Sequence, residues 1–349
     1  MKTAQVAIKH RSRPRGYSKR PYSDRHPRRK FLHLAAGAAA LPALSRIARA
    51  QTYPTRPITM IVPFAAGGAL DTAGRILAER MRSPLGRPII IENVSGADGS
   101  IGVGRAAGAK PDGYTLTLGS ISTHVLNGAF YSLRYDVLND FAPISALVTL
   151  PTVLFAKKRM PAETLNELIT WFKANPDKAS MGVTTTGLRL FAALFQKETG
   201  TRFAIVPYRG SAPALQDLVA GQIDLLLGGL DALPQIRAGS IKAYAVTSDT
   251  RSAIAPDIPT VGEVGLSSLL WTFWYGLFAP KGTPRHIIDR LNAAAIEALS
   301  DPAVQSRLAQ VGMTIFQRER QTPEALAALV KADAEKWWLL IKEFGIKAE

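Results

Sequence analysis

The sequence predicts an α/β fold in two units, with a ligand crevice where strand ends meet helix starts. Three observations carry this. Residues 58–75, ITMIVPFAAGGALDTAGR, read as a short β-branched strand that passes through a proline and a glycine pair into a helix. Strand and helix patterns then alternate, first to about His124 and again between about Leu150 and Trp274, the order that yields parallel sheets. At 349 residues, 47% hydrophobic and 20% charged, the chain suits two domains better than one.

Residues 1–50 are set apart by charge. They hold 13 of the 43 Lys and Arg against Asp24 alone, so the formal +16 falls to about +4 beyond them. An excess this local argues against a nucleic-acid-binding surface on the remainder. Arg28-Arg29-Lys30, an apolar run over residues 31–44 and Ala48-Arg49-Ala50 follow the order of an export signal. The run is shorter than the roughly 20 residues that span a bilayer, and cleavage is expected after Ala50. The paired arginines fit twin-arginine export, with Sec export as the alternative. No cysteine occurs, which excludes disulfides, thiol catalysis and cysteine metal sites.

A strand that ends in glycines and feeds a helix exposes the helix's first N–H groups, whose partial positive charge suits an anion. Gly67 and Gly68 let the backbone approach such a ligand, and Asp71 in the first turn either caps the helix or meets the ligand's polar edge. The helix, residues 69–82, carries Leu70, Ala73, Leu77 and Met81 on one face, and Ile89-Ile90-Ile91 is a buried strand. A glycine-rich loop at 95–99, a small-residue helix through Ala107 and a strand at 115–118 lead to Gly119-Ser120-Ile121-Ser122-Thr123-His124. In a parallel sheet both junctions lie at one edge and face one crevice.

The second unit opens its first helix with the capping box Thr164-x-x-Glu167. A strand at 181–183 enters Thr184-Thr185-Thr186-Gly187 and a helix with Phe191, Leu194 and Phe195 on its apolar side. The strand at 203–206 meets Pro207-Tyr208-Arg209-Gly210, then come a helix at 212–220 and a strand at 223–227. This alternation predicts a second parallel sheet. Residues 271–278 are rich in aromatics and read as strand core and hinge packing rather than a stacking platform. Three helices follow, each opening on a cap residue and proline: Thr283-Pro284, Asp301-Pro302 and Thr322-Pro323. The last runs to Phe344 and stops at Gly345.

Enzyme signatures are weak. Gly102-x-Gly104-x-x-Ala107 has dinucleotide-fingerprint spacing but lacks a strand directly before it and an acid anywhere in residues 115–135. Beyond residue 50 only His124 and His286 offer imidazole bases, and neither Gly-x-Ser-x-Gly nor His-Glu-x-x-His occurs. A binding protein without cofactor or metal is the reading that remains.

Several ordered motifs carry a resemblance. They are Tyr53-Pro54-x-Arg56-Pro57-Ile58, Ile61-Val62-Pro63-Phe64-x-x-Gly67-Gly68-x-x-Asp71, Pro111-Asp112-Gly113-Tyr114-Thr115-Leu116 and Val206-Pro207-Tyr208-Arg209-Gly210, with Pro213-Ala214-Leu215-x-Asp217-Leu218, Pro259-Thr260-Val261-x-Glu263 and Gly276-Leu277-Phe278-Ala279-Pro280 beyond. Together they resemble the extracytoplasmic solute receptors of tripartite tricarboxylate transporters, also called Bug receptors. The resemblance implies a type II-like two-lobed periplasmic binding protein, with residues 53–149 and 275–349 in lobe 1 and 150–274 in lobe 2. Such a protein, a monomer in the periplasm, closes on a small organic carboxylate and delivers it to the membrane subunits of a transporter; the alternative is a sensor that serves a signalling partner.

Family receptors hold one carboxylate through the first two loops, largely by backbone groups and bridging waters. Carried over, this points to Phe64, Gly67, Gly68 and Asp71, and to Ser122, Thr123 and His124, the last being either structural or ligand-facing. In lobe 2 the expected contacts are Thr184, Thr185, Thr186, Arg189, Tyr208 and Asp231. Arg189 and Arg209 either meet a second acidic group or are surface charges, and Asp231 either meets an ammonium or hydroxyl group or caps the short helix after it. The chain departs from the family pattern at Ala65-Ala66, where a proline-bearing pair is usual, at Ala69, commonly Ser or Thr, and in the opening of the second-lobe helix.

Overall fold

The computed structural model describes residues 53–344; the expected signal segment and Gly345 lie outside the described residues. The chain first runs β1 (Ile58–Val62), α1 (Ala69–Leu85), β2 (Ile89–Asn93), α2 (Ser100–Ala107), β3 (Thr115–Ser120), α3 (Asn127–Phe130) and β4 (Phe141–Leu150). It continues through β5 (Val153–Lys157), α4 (Leu165–Ala174), β6 (Ser180–Val183), α5 (Thr186–Thr199), β7 (Ala204–Pro207), α6 (Ser211–Ala220), β8 (Leu225–Gly228), α7 (Leu233–Arg237) and β9 (Ile241–Val246). It returns as β10 (Phe273–Pro280), α8 (Arg285–Ser300), α9 (Pro302–Gln310), β11 (Thr314–Ile315) and α10 (Pro323–Phe344).

Two sheets organise two lobes, in the orders β11-β4-β10-β3-β1-β2 and β7-β6-β8-β5-β9. β1 pairs in parallel with β2 and β3, so the loops that leave β1 and β3 emerge at one edge. In the second sheet β6 is parallel to β7 and β8, whereas β5 runs antiparallel to β8 and β9. The expectation of a wholly parallel second sheet is thus corrected. β5 carries the chain away from the first sheet and β9 carries it back, so neighbours with opposite destinations must oppose one another.

Local signals place most helix ends. Leu70, Ala73, Leu77 and Met81 are buried on α1, which runs three residues beyond the expected end and stops at Gly86 in a left-handed conformation (φ 69°). Thr164 Oγ1 accepts from Glu167 N at the start of α4, and Asp301 Oδ1 accepts from Ala303 N and Val304 N at the start of α9. Thr322 Oγ1 accepts from Ala325 N and caps α10. The expected cap at Thr283 does not form. Pro284 keeps an extended ψ of 139°, α8 begins one residue later, and the Thr283 hydroxyl donates instead to Pro280 O at 2.7 Å. The aromatic run forms β10, buried along its whole length between β3 and β4.

The two crossings between sheets are tied together at Thr247. Its backbone N–H donates to Thr152 O at 2.8 Å, its hydroxyl donates to Trp271 O at 2.8 Å, and Trp271 N donates back to Thr247 O at 3.0 Å. Thr152 N reaches the same hydroxyl oxygen at 3.3 Å. All three residues are buried. α10 adds a third link: Trp337 packs on Trp271 with ring centroids 4.3 Å apart, and Glu343 pairs with Lys197 of α5 at 2.8 Å.

Thr247→Val keeps the side-chain shape while leaving Trp271 O and Thr152 N without the hydroxyl. It should cost about 1–3 kcal/mol, the penalty of stranding buried polar groups, and urea unfolding measures this as a lowered midpoint.

Candidate ligand cleft

The first junction leaves β1 through Pro63 and exposes residues 65–69. Gly67 takes φ 83°, a conformation that disfavours any side chain, and its N–H donates to Asp71 Oδ2 at 2.8 Å. Gly68 is the N-cap of α1 and has no side chain to offer, so the first-turn N–H groups remain available to an anion. A Cβ at Gly68 would sit 3.5 Å from Ala65 O, an ordinary contact, so the conformational demand falls on Gly67.

Asp71 is only 2% exposed. It accepts from Gly67 N, from Arg75 Nε at 2.8 Å and, through Oδ1, from Asn93 Nδ2 at 2.9 Å. Asn93 also donates to the carbonyl of the half-buried Phe64 at 3.0 Å. Burial raises the Asp71 carboxyl, but the bonds from Arg75, Gly67 and Asn93 outweigh it and hold the group below the usual range. The capping reading of Asp71 is therefore corrected, since α1 has no side-chain cap; three donors engage the carboxylate in fixing the loop, and the residue lines the groove at this junction.

The second junction follows β3 into a π-helical segment, Ser122–Leu126, where Ser122, Thr123 and His124 are fully buried. Thr123 Oγ1 accepts from Ser120 N at 3.0 Å and lies 3.0 Å from His124 Nδ1. The His124 ring stacks on Phe278 at 4.1 Å, its Nε2 has no hydrogen-bond partner among the described residues, and burial lowers its pKa to about 3. A Cβ on Gly119 would lie 2.3 Å from Nδ1, so the ring packs against bare backbone. His124 is thus a buried, neutral residue packed within lobe 1. Ser122 differs, since its Oγ accepts from Gly187 N of the other lobe at 3.3 Å.

In lobe 2 Thr185 caps α5 by accepting from Leu188 N at 3.3 Å. Thr186 in the first turn donates its backbone N–H to Asp98 Oδ2 at 2.7 Å, and its hydroxyl bonds the same oxygen. Asp98 belongs to the glycine-rich loop of lobe 1, and sequence reasoning passed over it although it is the one acid in that loop. Burial raises its carboxyl, opposed by the two Thr186 bonds.

The remaining candidates are dispersed. Thr184 and Asp231 line, with Ser211, Gly228 and Gly229, a crevice of about 10 Å³ at the strand ends of lobe 2, room for about one water. α7 starts without a side-chain cap, so Asp231 does not cap it. Burial raises the Asp231 carboxyl, and burial together with that negative charge raises the Tyr275 hydroxyl on β10. The Tyr208 hydroxyl donates to Asp217 Oδ2 at 2.7 Å, is pushed up to about 12 by burial and by that carboxylate, and is engaged within lobe 2. Arg189 lies half-buried in the first turn of α5, and Arg209 is exposed. At the first junction, Gly67, Asp71, Thr72, Arg75, Arg307 and Gln310 line an open groove of about 510 Å³, where Arg75 pairs with Asp71 and Arg307 with Glu79. Among the described residues no group of three or more His, Asp or Glu could hold a metal ion.

A sequence model of the family described as tripartite tricarboxylate transporter family receptor matches residues 73–346. The chain is similar to the protein BugT of Bordetella pertussis, 36% identical over 303 residues that cover 85% of this chain and 92% of that one. Among solved structures it is similar to MatC of Rhodopseudomonas palustris with bound malate, with a TM-score of 0.77 and 35% identity over 83% of this chain and 100% of that one. A second R. palustris protein, solved with adipate, gives a TM-score of 0.78 and 31% identity over 85% of this chain and 100% of that one.

The buried histidine makes a pH prediction. Folded, His124 stays neutral to about pH 3, whereas the unfolded ring protonates near pH 6.5. The unfolded chain therefore gains a proton first, so stability is complete above the unfolded value and falls as pH drops, by about 2 kcal/mol at pH 5. Urea unfolding at neutral pH and at pH 5 measures the loss. His124→Phe, which retains a stacking ring, should remove this share of the difference, and equal slopes in the two proteins would refute the assignment.

Proposed function

The chain belongs to the tripartite tricarboxylate transporter receptor family, and on that premise we propose that it is a periplasmic solute-binding receptor that captures a small organic carboxylate between its lobes and delivers it to the membrane subunits of a transporter. The observation that carries this reading is the placement of the helix starts. α1 presents an N-terminus without a side-chain cap behind exposed residues 65–69, while the first turn of α5, on the other lobe, bonds to Asp98 and Ser122. Helix N-termini favour anions, and a cleft that excludes water strengthens the effect. The relatives solved with malate and with adipate support a carboxylate as the class.

In this reading the ligand carboxylate lies over Gly67 and Gly68 and the first-turn N–H groups of α1, with Phe64 as a wall. Asp71, Thr123 and Asn93 hold the loops and do not touch the ligand, while Ser122, Thr184 and Thr186 face it from the two sides. Residues 53–149 with 275–349 and residues 150–274 move as two bodies about the Thr152–Thr247–Trp271 tie. Among the described residues no helix is long and apolar enough to cross a membrane.

Two outcomes are expected. Calorimetry with the mature chain should find a ligand within a panel of aliphatic and aromatic carboxylates, whereas binding of a neutral sugar or polyamine while every carboxylate is ignored would overturn the reading. N-terminal sequencing of exported protein should begin at Gln51, and a retained basic segment would overturn the export assignment.

A further inference from the structure

In the loop that precedes α2 the protein supplies an anion of its own to the cleft. Ala97 (φ 46°) and Asp98 (φ 48°) are consecutive non-glycine residues in the left-handed region, an uncommon and strained pairing. The loop is nevertheless held firmly. Asn127 Nδ2 donates to Asp98 O at 2.9 Å and to Ser100 Oγ at 3.1 Å, and a Cβ on Gly99 would lie within 3.2 Å of Pro63 and Thr123, so the loop sits between the first and second junctions. The backbone thereby presents the Asp98 carboxylate across the cleft to Thr186 N at 2.7 Å and to the Thr186 hydroxyl, which also lies 3.1 Å from Asn127 Oδ1. Among the described residues no Lys or Arg pairs with Asp98. Its negative charge is met by the first turn of α5, the interaction a bound ligand carboxylate would use.

We propose that Asp98 determines specificity: it is a tethered carboxylate from lobe 1 that fills the anion position at the start of α5, so the cleft admits ligands with one carboxylate and rejects those with a second at the far end. The inference rests on the receptor reading above and adds to it the number of charges the ligand carries. A diacid anchored on the first junction would bring its other carboxylate against the half-buried Asp98, where it would compete for the same N–H and meet a like charge. A monoacid of the same length places only an uncharged end there. Removing the Asp98 side chain vacates the Thr186 donors for the second carboxylate.

The test uses the mature chain and a matched pair, hexanoate and adipate, in calorimetry. The unchanged protein should prefer the monoacid by about tenfold or more, the scale of a poorly screened like-charge contact. Asp98→Gly, which suits the left-handed backbone, should remove or reverse that preference. Asp98→Asn tolerates the same backbone and keeps an acceptor for Thr186 N, so it should fall between, and circular dichroism establishes that both variants fold. If the proteins bind carboxylates but the preference is the same in all three, the role of Asp98 is overturned while the receptor reading stands. If none binds any carboxylate, both fall together.

Discussion

A helix cannot satisfy its own first N–H groups, and at α5 that deficit is met from the other lobe. Thr186 N finds Asp98 and Gly187 N finds Ser122, while Thr185 serves Leu188 from within the helix. Neither contact across the cleft could persist if the lobes swung apart, because both acceptors belong to lobe 1. The relation between the lobes therefore depends on how the start of one helix is satisfied. Much of the surrounding construction keeps the acceptors in place: Asn127 grips the Asp98 loop, and the buried π-helical segment holds the Ser122 hydroxyl against Gly187 N.

The start of α1 solves the same problem in the opposite way. Its N-cap is a glycine, Ala69 brings no hydroxyl, and Asp71 turns back to Gly67 and Asn93 rather than toward the helix end. One helix start is thus occupied by protein and the other left open to solvent. Under the proposed function such a cleft would have a polarity: a carboxylate would be welcome on one side and anticipated on the other.

Features decided within four or five residues could be read from the sequence. The glycine pair before α1, the Thr164 box and the Asp301-Pro302 start are of this kind, because cap and donor are near neighbours along the chain. The family motifs added the two-lobed arrangement, which no local pattern specifies. What escaped depends on partners distant in sequence. Asp98 and Thr186 are 88 residues apart, and nothing in the run Ser95-Gly96-Ala97-Asp98-Gly99 signals that its acid will reach a helix in the other lobe. His124 was ambiguous for the same reason, since its fate depends on Phe278 and on the bare backbone of Gly119. The direction of β5 followed from the route of the chain rather than from its own residues.

The third link between the lobes has a kinetic consequence. Trp337 bears on Trp271, which the Thr247 bonds tie to the crossings between sheets, while Glu343 reaches Lys197 on α5. In the proposed opening, a tilted ring pair beside the tie would turn with little displacement, whereas the ion pair would have to separate. Both partners of that pair are solvent-exposed, so the attraction is modest and is screened by dissolved ions. Under the proposed function, the residence time of a bound solute would be governed in part by α10, and it would shorten as ionic strength rises.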